Sequence, residues 1–288
     1  MASTQQLKGR ITSVKNTRQI TKAMELVSAS KMRKSQEYAI RSRAYRRLAK
    51  HILTRISETI NISRHPLYKQ RKINRRLYVV VTSDRGLAGA YNSNVLKRFT
   101  LNLKEDRANE IESSVILVGK KGVSVVSKIK DINVIAAYEN FREQPTPNDI
   151  RPLLTTIIEQ YKTAKTDSVE VIYTDYISSV NQQVKIDKIL PAVFKKSDTS
   201  SNLGDVIVEP SPKVVLEQVT ERLVEAQLTQ DLLESQASEQ SMRMMAMKNA
   251  TDNANELVDD LTLEFNSARQ AAITQELAEI TGGAEAMN

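Results

Sequence analysis

From Lys213 to Thr281 the chain contains neither glycine nor proline, and apolar or small residues recur there at alternating three- and four-residue spacing. The run passes through Leu216, Val219, Leu223, Ala226, Gln230, Leu233, Ala237, Gln240, Met244, Met247, Thr251, Ala254, Val258, Leu261, Phe265, Ala268, Ala272 and Gln275. A sustained 3.5-residue period belongs to a helix that supercoils left-handedly on a partner. At 1.5 Å rise per residue this helix is roughly 100 Å long, several times the width of a globular domain of this mass. The pattern predicts a rod.

A second stretch, Arg10 to His65, also lacks glycine and proline. Leu7, Ile11, Val14, Ile20, Met24, Val27, Tyr38, Tyr45, Leu48 and Ile52 give it an intermittent apolar stripe, so a second, less regular long helix is expected. Charge pairs the two. Residues 1–76 carry 20 Lys or Arg against three acids, Glu25, Glu37 and Glu58, a net of +17; residues 211–288 carry five bases against 14 acids, a net of −9. Opposite charge flanking a hydrophobic seam favours the mixed pair over like with like, and an antiparallel hairpin is the simplest arrangement. The alternative is two independent, solvated charged faces.

Between Arg76 and Val193 the period changes. Short apolar runs at Leu77–Val81, Val115–Val118, Val134–Ala137 and Val169–Tyr173 alternate with helical patterns around Asn94–Leu103, Val123–Ile129 and Pro147–Lys162. This is the rhythm of βαβ units and a mostly parallel sheet, with Val184–Ile189 as a further edge strand. The expected fold class is α/β: a long antiparallel coiled coil of the amino- and carboxyl-terminal helices plus an inserted Rossmann-like α/β domain. The divisions are 1–75, 76–209 and 210–288.

Composition narrows the function. Aromatic residues make up 5% of the 288 and Trp is absent, so much of the mass lies outside a large core. There is no cysteine, which excludes disulfides and thiolate metal sites, and the two histidines, His51 and His65, have no ligand constellation around them. No apolar run reaches the length of a membrane span, and the opening MASTQQLKGR lacks a signal-peptide core. The loop Ser83-Asp84-Arg85-Gly86-Leu87-Ala88-Gly89-Ala90 follows the first strand, but it has neither the G-x-G-x-x-G fingerprint nor a phosphate-binding lysine followed by Ser or Thr. Val118-Gly119-Lys120-Lys121-Gly122 fails the same test. Gly86 and Gly89 are read instead as serving a tight turn. No nucleophile-elbow motif is present, and no cofactor or catalytic residue is expected. Two rival classes stand beside a mechanical one: a nucleic-acid-associated coiled coil using the basic arm, whose binding falls steeply with salt, and a nucleotide-dependent enzyme built on the sheet.

Three segments carry a resemblance. Ile11-Thr12-Ser13-Val14-Lys15-Asn16-Thr17-Arg18-Gln19-Ile20-Thr21-Lys22-Ala23-Met24-Glu25-Leu26-Val27, continuing as Ser28-Ala29-Ser30-Lys31-Met32-Arg33-Lys34, closely resembles the opening of the γ subunit of F-type ATP synthases. The turn Ser83-Asp84-Arg85-Gly86-Leu87 is similar to that family, as are Met247-Lys248-Asn249-Ala250-Thr251-Asp252-Asn253 and Ala268-Arg269-Gln270-Ala271-Ala272-Ile273-Thr274-Gln275-Glu276. The resemblance implies a non-catalytic rotary shaft, one copy per complex. Its coiled coil enters an α3β3 hexamer, its α/β domain lies nearer the c-ring, and the epsilon subunit is a further partner. Nucleic acid is not an expected partner.

Residue by residue, the resemblance makes Met24, beside Glu25, the shaft position near the acidic lever of the catalytic subunits. Arg243, Arg269, Gln270, Thr274 and Glu276 resemble polar positions that link shaft and hexamer. Glu209-Pro210 resembles the family's step at the c-ring, although the aromatic residue often found before it is Val208 here. The turn that carries a cysteine in some relatives has Ala88, and no cysteine-bearing insert of the chloroplast type is present, so thiol control is not expected. With no transit peptide, a bacterial complex is implied, at the cytoplasmic face of the plasma membrane and peripheral to it.

Overall fold

The computed structural model describes residues 3–59, 65–129, 132–142, 145–192 and 211–285, so Val208, Glu209 and Pro210 lie outside the described residues. Two long helices bracket the chain: α1 runs Thr4–Thr59 and α5 runs Pro212–Glu285. Between them lie β1 (Arg75–Val81), α2 (Tyr91–Ala108), β2 (Glu112–Val118), α3 (Lys120–Val126), β3 (Asn133–Tyr138), α4 (Pro147–Lys162), β4 (Ser168–Tyr176) and β5 (Gln182–Leu190).

The strands form one sheet in the order β3-β2-β1-β4-β5, with every pair parallel except β4 and β5. The central strands β1 and β2 end in unbroken buried runs, as strands covered on both faces must. Leu77, Val79 and Val81 face one core with Ile150, Leu153 and Ile157 of α4, while Tyr78 and Val80 face another with Val95 and Phe99 of α2. β5 is the antiparallel edge expected of the run near Val184–Ile189.

Helix boundaries follow local chemistry. α4 starts where the sequence places it because Pro147 suits a first helical position and Asp149 accepts hydrogen bonds from both the backbone N–H and the hydroxyl of Thr146, at 2.8 and 2.7 Å. α3 lies three residues earlier than the pattern around Val123–Ile129 predicts. Gly119 is the reason: at φ 93° it turns the chain straight from β2 into the helix. A Cβ there would come within 2.2 Å of the Thr82 carbonyl oxygen, so the site admits glycine alone.

The chain divides into two compact units, Ala29–Met242 and a second one made of Met1–Ser28 with Arg243–Asn288. In the first, the amino-terminal end of the sheet is tied by one buried carboxylate. Asp106, near the end of α2, accepts from Arg76 Nη1 (2.7 Å), the Tyr78 hydroxyl (2.7 Å) and the Ser113 hydroxyl (2.8 Å). Burial raises the pKa of the Tyr78 phenol, which therefore stays protonated as a donor. Asp106→Ala leaves the Arg76 guanidinium with Glu170 (3.4 Å) as its remaining counter-charge and takes the acceptor from the Tyr78 and Ser113 hydroxyls. It should cost about 3 kcal/mol in urea unfolding of the full chain, as removal of one partner of a buried pair does; a loss below about 1 kcal/mol would show the network to be dispensable.

Candidate functional site

In doubly wound sheets ligands sit outside the carboxyl ends of the strands, where the strand order reverses. Here that point lies between β1 and β4. β1 pairs with β4 only as far as Val80 and Ile172, and beyond Ile172 the free side of β4 is taken by α5. The Thr174 N–H donates to Ser235 Oγ (3.3 Å), and the Ser238 hydroxyl donates to the Thr174 carbonyl (3.0 Å). Tyr91 at the start of α2 closes the other side, its hydroxyl 2.7 Å from Ser235 Oγ. One turn further along α5, the Ser241 hydroxyl donates to the Ser179 carbonyl (2.9 Å) and accepts from Gln182 Nε2 (3.1 Å). The crevice is filled by the chain's own helix.

The neighbouring loop is closed in the same way. Asp84 Oδ1 accepts from the backbone N–H of Lys120 (3.1 Å), the first residue of α3, where a phosphate would otherwise be drawn. The Thr82 hydroxyl accepts from the N–H of Gly122 (2.9 Å) and lies 2.8 Å from the Val118 carbonyl. Ser83 and Asn92 bind each other: the Ser83 N–H donates to Asn92 Oδ1 (3.0 Å) and Asn92 Nδ2 to Ser83 Oγ (2.8 Å). Of the two glycines read as turn residues, Gly89 has a positive φ of 54°, whereas a Cβ on Gly86 meets nothing nearer than 3.8 Å.

The other unit is the helix pair. Thr251 Oγ1 lies 2.8 Å from Thr21 Oγ1, and Arg18 Nη1 donates to Asn255 Oδ1 (3.2 Å). Numbers rise on one helix as they fall on the other, so the pair is antiparallel, as expected. On α5 the seam holds: Met247, Thr251, Ala254, Val258 and Leu261 are buried, with Phe265 and Ala268 half-buried. On α1 it is corrected. Leu7, Ile11 and Val14 hold their expected places, but Ile20 and Val27 are 61% and 53% exposed and the buried line passes one residue later there, through Thr21 and Ser28, with Arg18 and Glu25 half-buried between. That line keeps a strict four-three spacing which the apolar residues alone conceal, because two of its buried positions are hydroxyl residues.

Counting back from the two cross-helix bonds puts Leu7 opposite Phe265 and Thr4, the first residue of α1, opposite Ala268. α5 continues past that point. Residues 269–282 are all exposed, and Ala272 and Gln275, expected in the seam, have no helix against them because α1 has ended. Through Glu285 this is about 25 Å of single helix, and Ile273, Leu277 and Ile280 stand on it 45%, 58% and 68% exposed.

The singled-out residues fall in separate places. Met24 and Glu25 are half-buried on α1, with Glu25 ion-paired to Lys22 at 3.0 Å, and Arg243 is buried on α5. Arg269, Gln270, Thr274 and Glu276 lie on the exposed tip, where the Thr274 hydroxyl donates back to the Gln270 carbonyl (2.9 Å). From Arg243 to Arg269 is about 40 Å along the helix, so no single cluster gathers them. Among the described residues no group of three His, Cys, Asp or Glu is placed to hold a metal, and no helix is long and apolar enough to cross a membrane. Sequence reasoning missed Tyr91, Ser235, Ser238 and Ser241. The signal for them was a second stripe on α5, Val224, Leu228 and Leu232, which runs on into the serines at Ser235.

The sequence profile described as ATP synthase matches residues 3–287. The "ATP synthase gamma chain" of Macrococcus caseolyticus is 38% identical over the whole of both chains, and that of Legionella pneumophila (strain Corby) is 36% identical, again over the whole of both. The chain belongs to the ATP synthase gamma-chain family. Solved structures share the fold. A chain of the Euglena gracilis mitochondrial ATP synthase, in the structure of its OSCP/F1/c-ring, has a TM-score of 0.68 at 20% identity and covers 99% of this chain and 94% of its own. A chain from the central stalk and c-ring of the Tetrahymena thermophila mitochondrial ATP synthase has a TM-score of 0.61 at 25% identity, covering 80% and 99%.

The exposed tip predicts its own dispensability for folding in this family member. Truncation after Ala268 should leave the unfolding free energy from urea titration within about 0.5 kcal/mol of the full chain, as for changes at exposed sites. A larger loss would mean that the tip folds back on the rest.

Proposed function

We propose that this chain is the central rotary shaft of an F1Fo ATP synthase, coupling ion-driven rotation of a c-ring to ATP synthesis or hydrolysis on an α3β3 hexamer. The observation that carries the reading is the tip of α5. A lone helix with exposed Ile273, Leu277 and Ile280 gains little from water and is stabilised by a surrounding apolar sleeve. The cavity of a hexamer supplies one. A rod whose sides differ favours a different conformation in each neighbour, so turning it becomes a sequence of population shifts in the catalytic subunits. The shaft itself carries out no covalent step. The crevice where its sheet would hold a nucleotide is occupied by α5, which supports a non-catalytic part.

Met24 and Glu25 on α1 and Arg243 on α5 serve as coupling contacts along the shaft, and Arg269, Gln270, Thr274 and Glu276 as contacts at its tip. Glu209 approaches the c-ring, and the epsilon subunit is a further partner. The complex lies at the cytoplasmic face of a bacterial plasma membrane, with this chain peripheral and present once.

The test is reconstitution of Mg-ATPase activity from purified bacterial α and β subunits with and without the chain, followed by size-exclusion chromatography. One copy should enter the hexamer and raise sustained turnover; a chain that stays outside and changes nothing overturns the reading. In the assembled enzyme, Met24→Lys sets a new cation at a half-buried position on the shaft. It should impair ATP synthesis more than ATP hydrolysis, and equal loss of both would count against Met24 as a coupling contact.

A further inference from the structure

Torque that enters through the α/β domain has to pass into α5, and most of what holds α5 to that domain is non-directional. Val224, Leu228 and Leu232 pack into the core with Val79, Val171 and Tyr173. Such contacts resist separation, yet they set rotation about the helix axis only through shape. The ion pairs of Lys162 with Glu217 (3.2 Å) and Glu221 (2.9 Å) are directional but lie at the surface, where solvent weakens them. The serines differ on both counts. Ser235, Ser238 and Ser241 are each 0% exposed, and each makes hydrogen bonds of defined direction to groups of the sheet.

The placement is specific. Beyond Ile172, β4 has lost β1 as a neighbour, and Thr174 directs both its N–H and its carbonyl at α5. Two serine side chains therefore take the role of an adjacent strand. Tyr91 holds Ser235 from the start of α2, and the loop of the β4–β5 hairpin holds Ser241 through Ser179 and Gln182. Gln236 adds a bond to the Arg142 carbonyl (2.9 Å). Four segments of the domain thus grip consecutive turns of one helix, and the bonds at Thr174 and Tyr91 lie in a buried site where water cannot replace a lost bond.

We propose that Ser235, Ser238 and Ser241 form the torsional joint of the shaft, the place where rotation of the α/β domain is locked to rotation of α5. The proposal rests on the shaft reading above. Ser235→Ala with Ser238→Ala removes both bonds to Thr174 and keeps the helix, since alanine is the best helix former. The joint then becomes torsionally soft without loosening the core stripe.

The experiment uses the whole complex, with the hexamer fixed and free of cysteine. The chain has no cysteine of its own, so Ser93→Cys on the exposed side of α2 gives one attachment point for a rotation probe. The angular variance during pauses at limiting ATP reports the stiffness between probe and hexamer. The double alanine variant should widen that variance about twofold or more, as expected when three buried hydrogen bonds, two to Thr174 and one to Tyr91, are lost, while ATP turnover without load is unchanged. Ser241→Ala alone, at the rim of the site, should widen it less and serves if the double variant does not assemble. Unchanged variance in a rotating complex overturns the joint. So does equal widening by Asp106→Asn, which softens the opposite end of the sheet without touching α5. Failure of the unmodified complex to rotate would instead sink the shaft reading, and the two failures are told apart in the same assay.

Discussion

Residues 230–235 of α5 are buried on every side, and the rest of the chain depends on that enclosure. A helix is normally amphipathic because one face meets water. Here one face carries Val224, Leu228, Leu232 and the serines against the sheet, while a different line, through Ala226, Gln230, Leu233 and Ala237, is buried as well. Both faces of α5 are therefore enclosed along this stretch. That enclosure explains why residues as polar as Gln230, Asp231 and Glu234 sit out of water in the middle of a helix: two sets of neighbours leave no solvent-facing side to receive them.

The hairpin obeys a different rule. Its seam contains Thr21, Ser28 and Thr251 beside Leu7, Val258 and Leu261. The Thr21 hydroxyl donates to the Arg18 carbonyl (3.0 Å) and also lies against Thr251, so a polar pair stands in an otherwise apolar line. A buried polar pair contributes less than leucine, but the contact between the two hydroxyls forms in one register only, and a two-helix rod otherwise slides easily by a heptad. Leucine in place of both would keep the attraction and discard the alignment.

Much of this was legible from residue order. The 3.5-residue period of α5, the βαβ rhythm, the edge position of β5 and the start of α4 at Pro147 all follow from patterns with one dominant physical cause. What was not legible has two causes at once. The line of α1 through Thr21 and Ser28 is invisible to a search for apolar residues, whereas Ile20 and Val27 attract that search although they face outward. The serines of α5 look like solvated positions because a single seam accounts for the helix and nothing local announces a second partner. α3 moved because a glycine at positive φ reset the start of the helix, a backbone effect that side-chain periodicity does not register. The tip residues proposed as coupling contacts are exposed by any measure, and only resemblance picks them out.

Asp84 at the first N–H of α3 and α5 across the switch point have a consequence for the living cell. Adenine nucleotides are abundant there and their ratio swings with energy demand. A doubly wound sheet with an open crevice would sample that pool and change its shape and rigidity with it. In this chain the carboxylate and the serines already occupy those places, so neither place offers that pool a foothold, in the fed cell or the starved one.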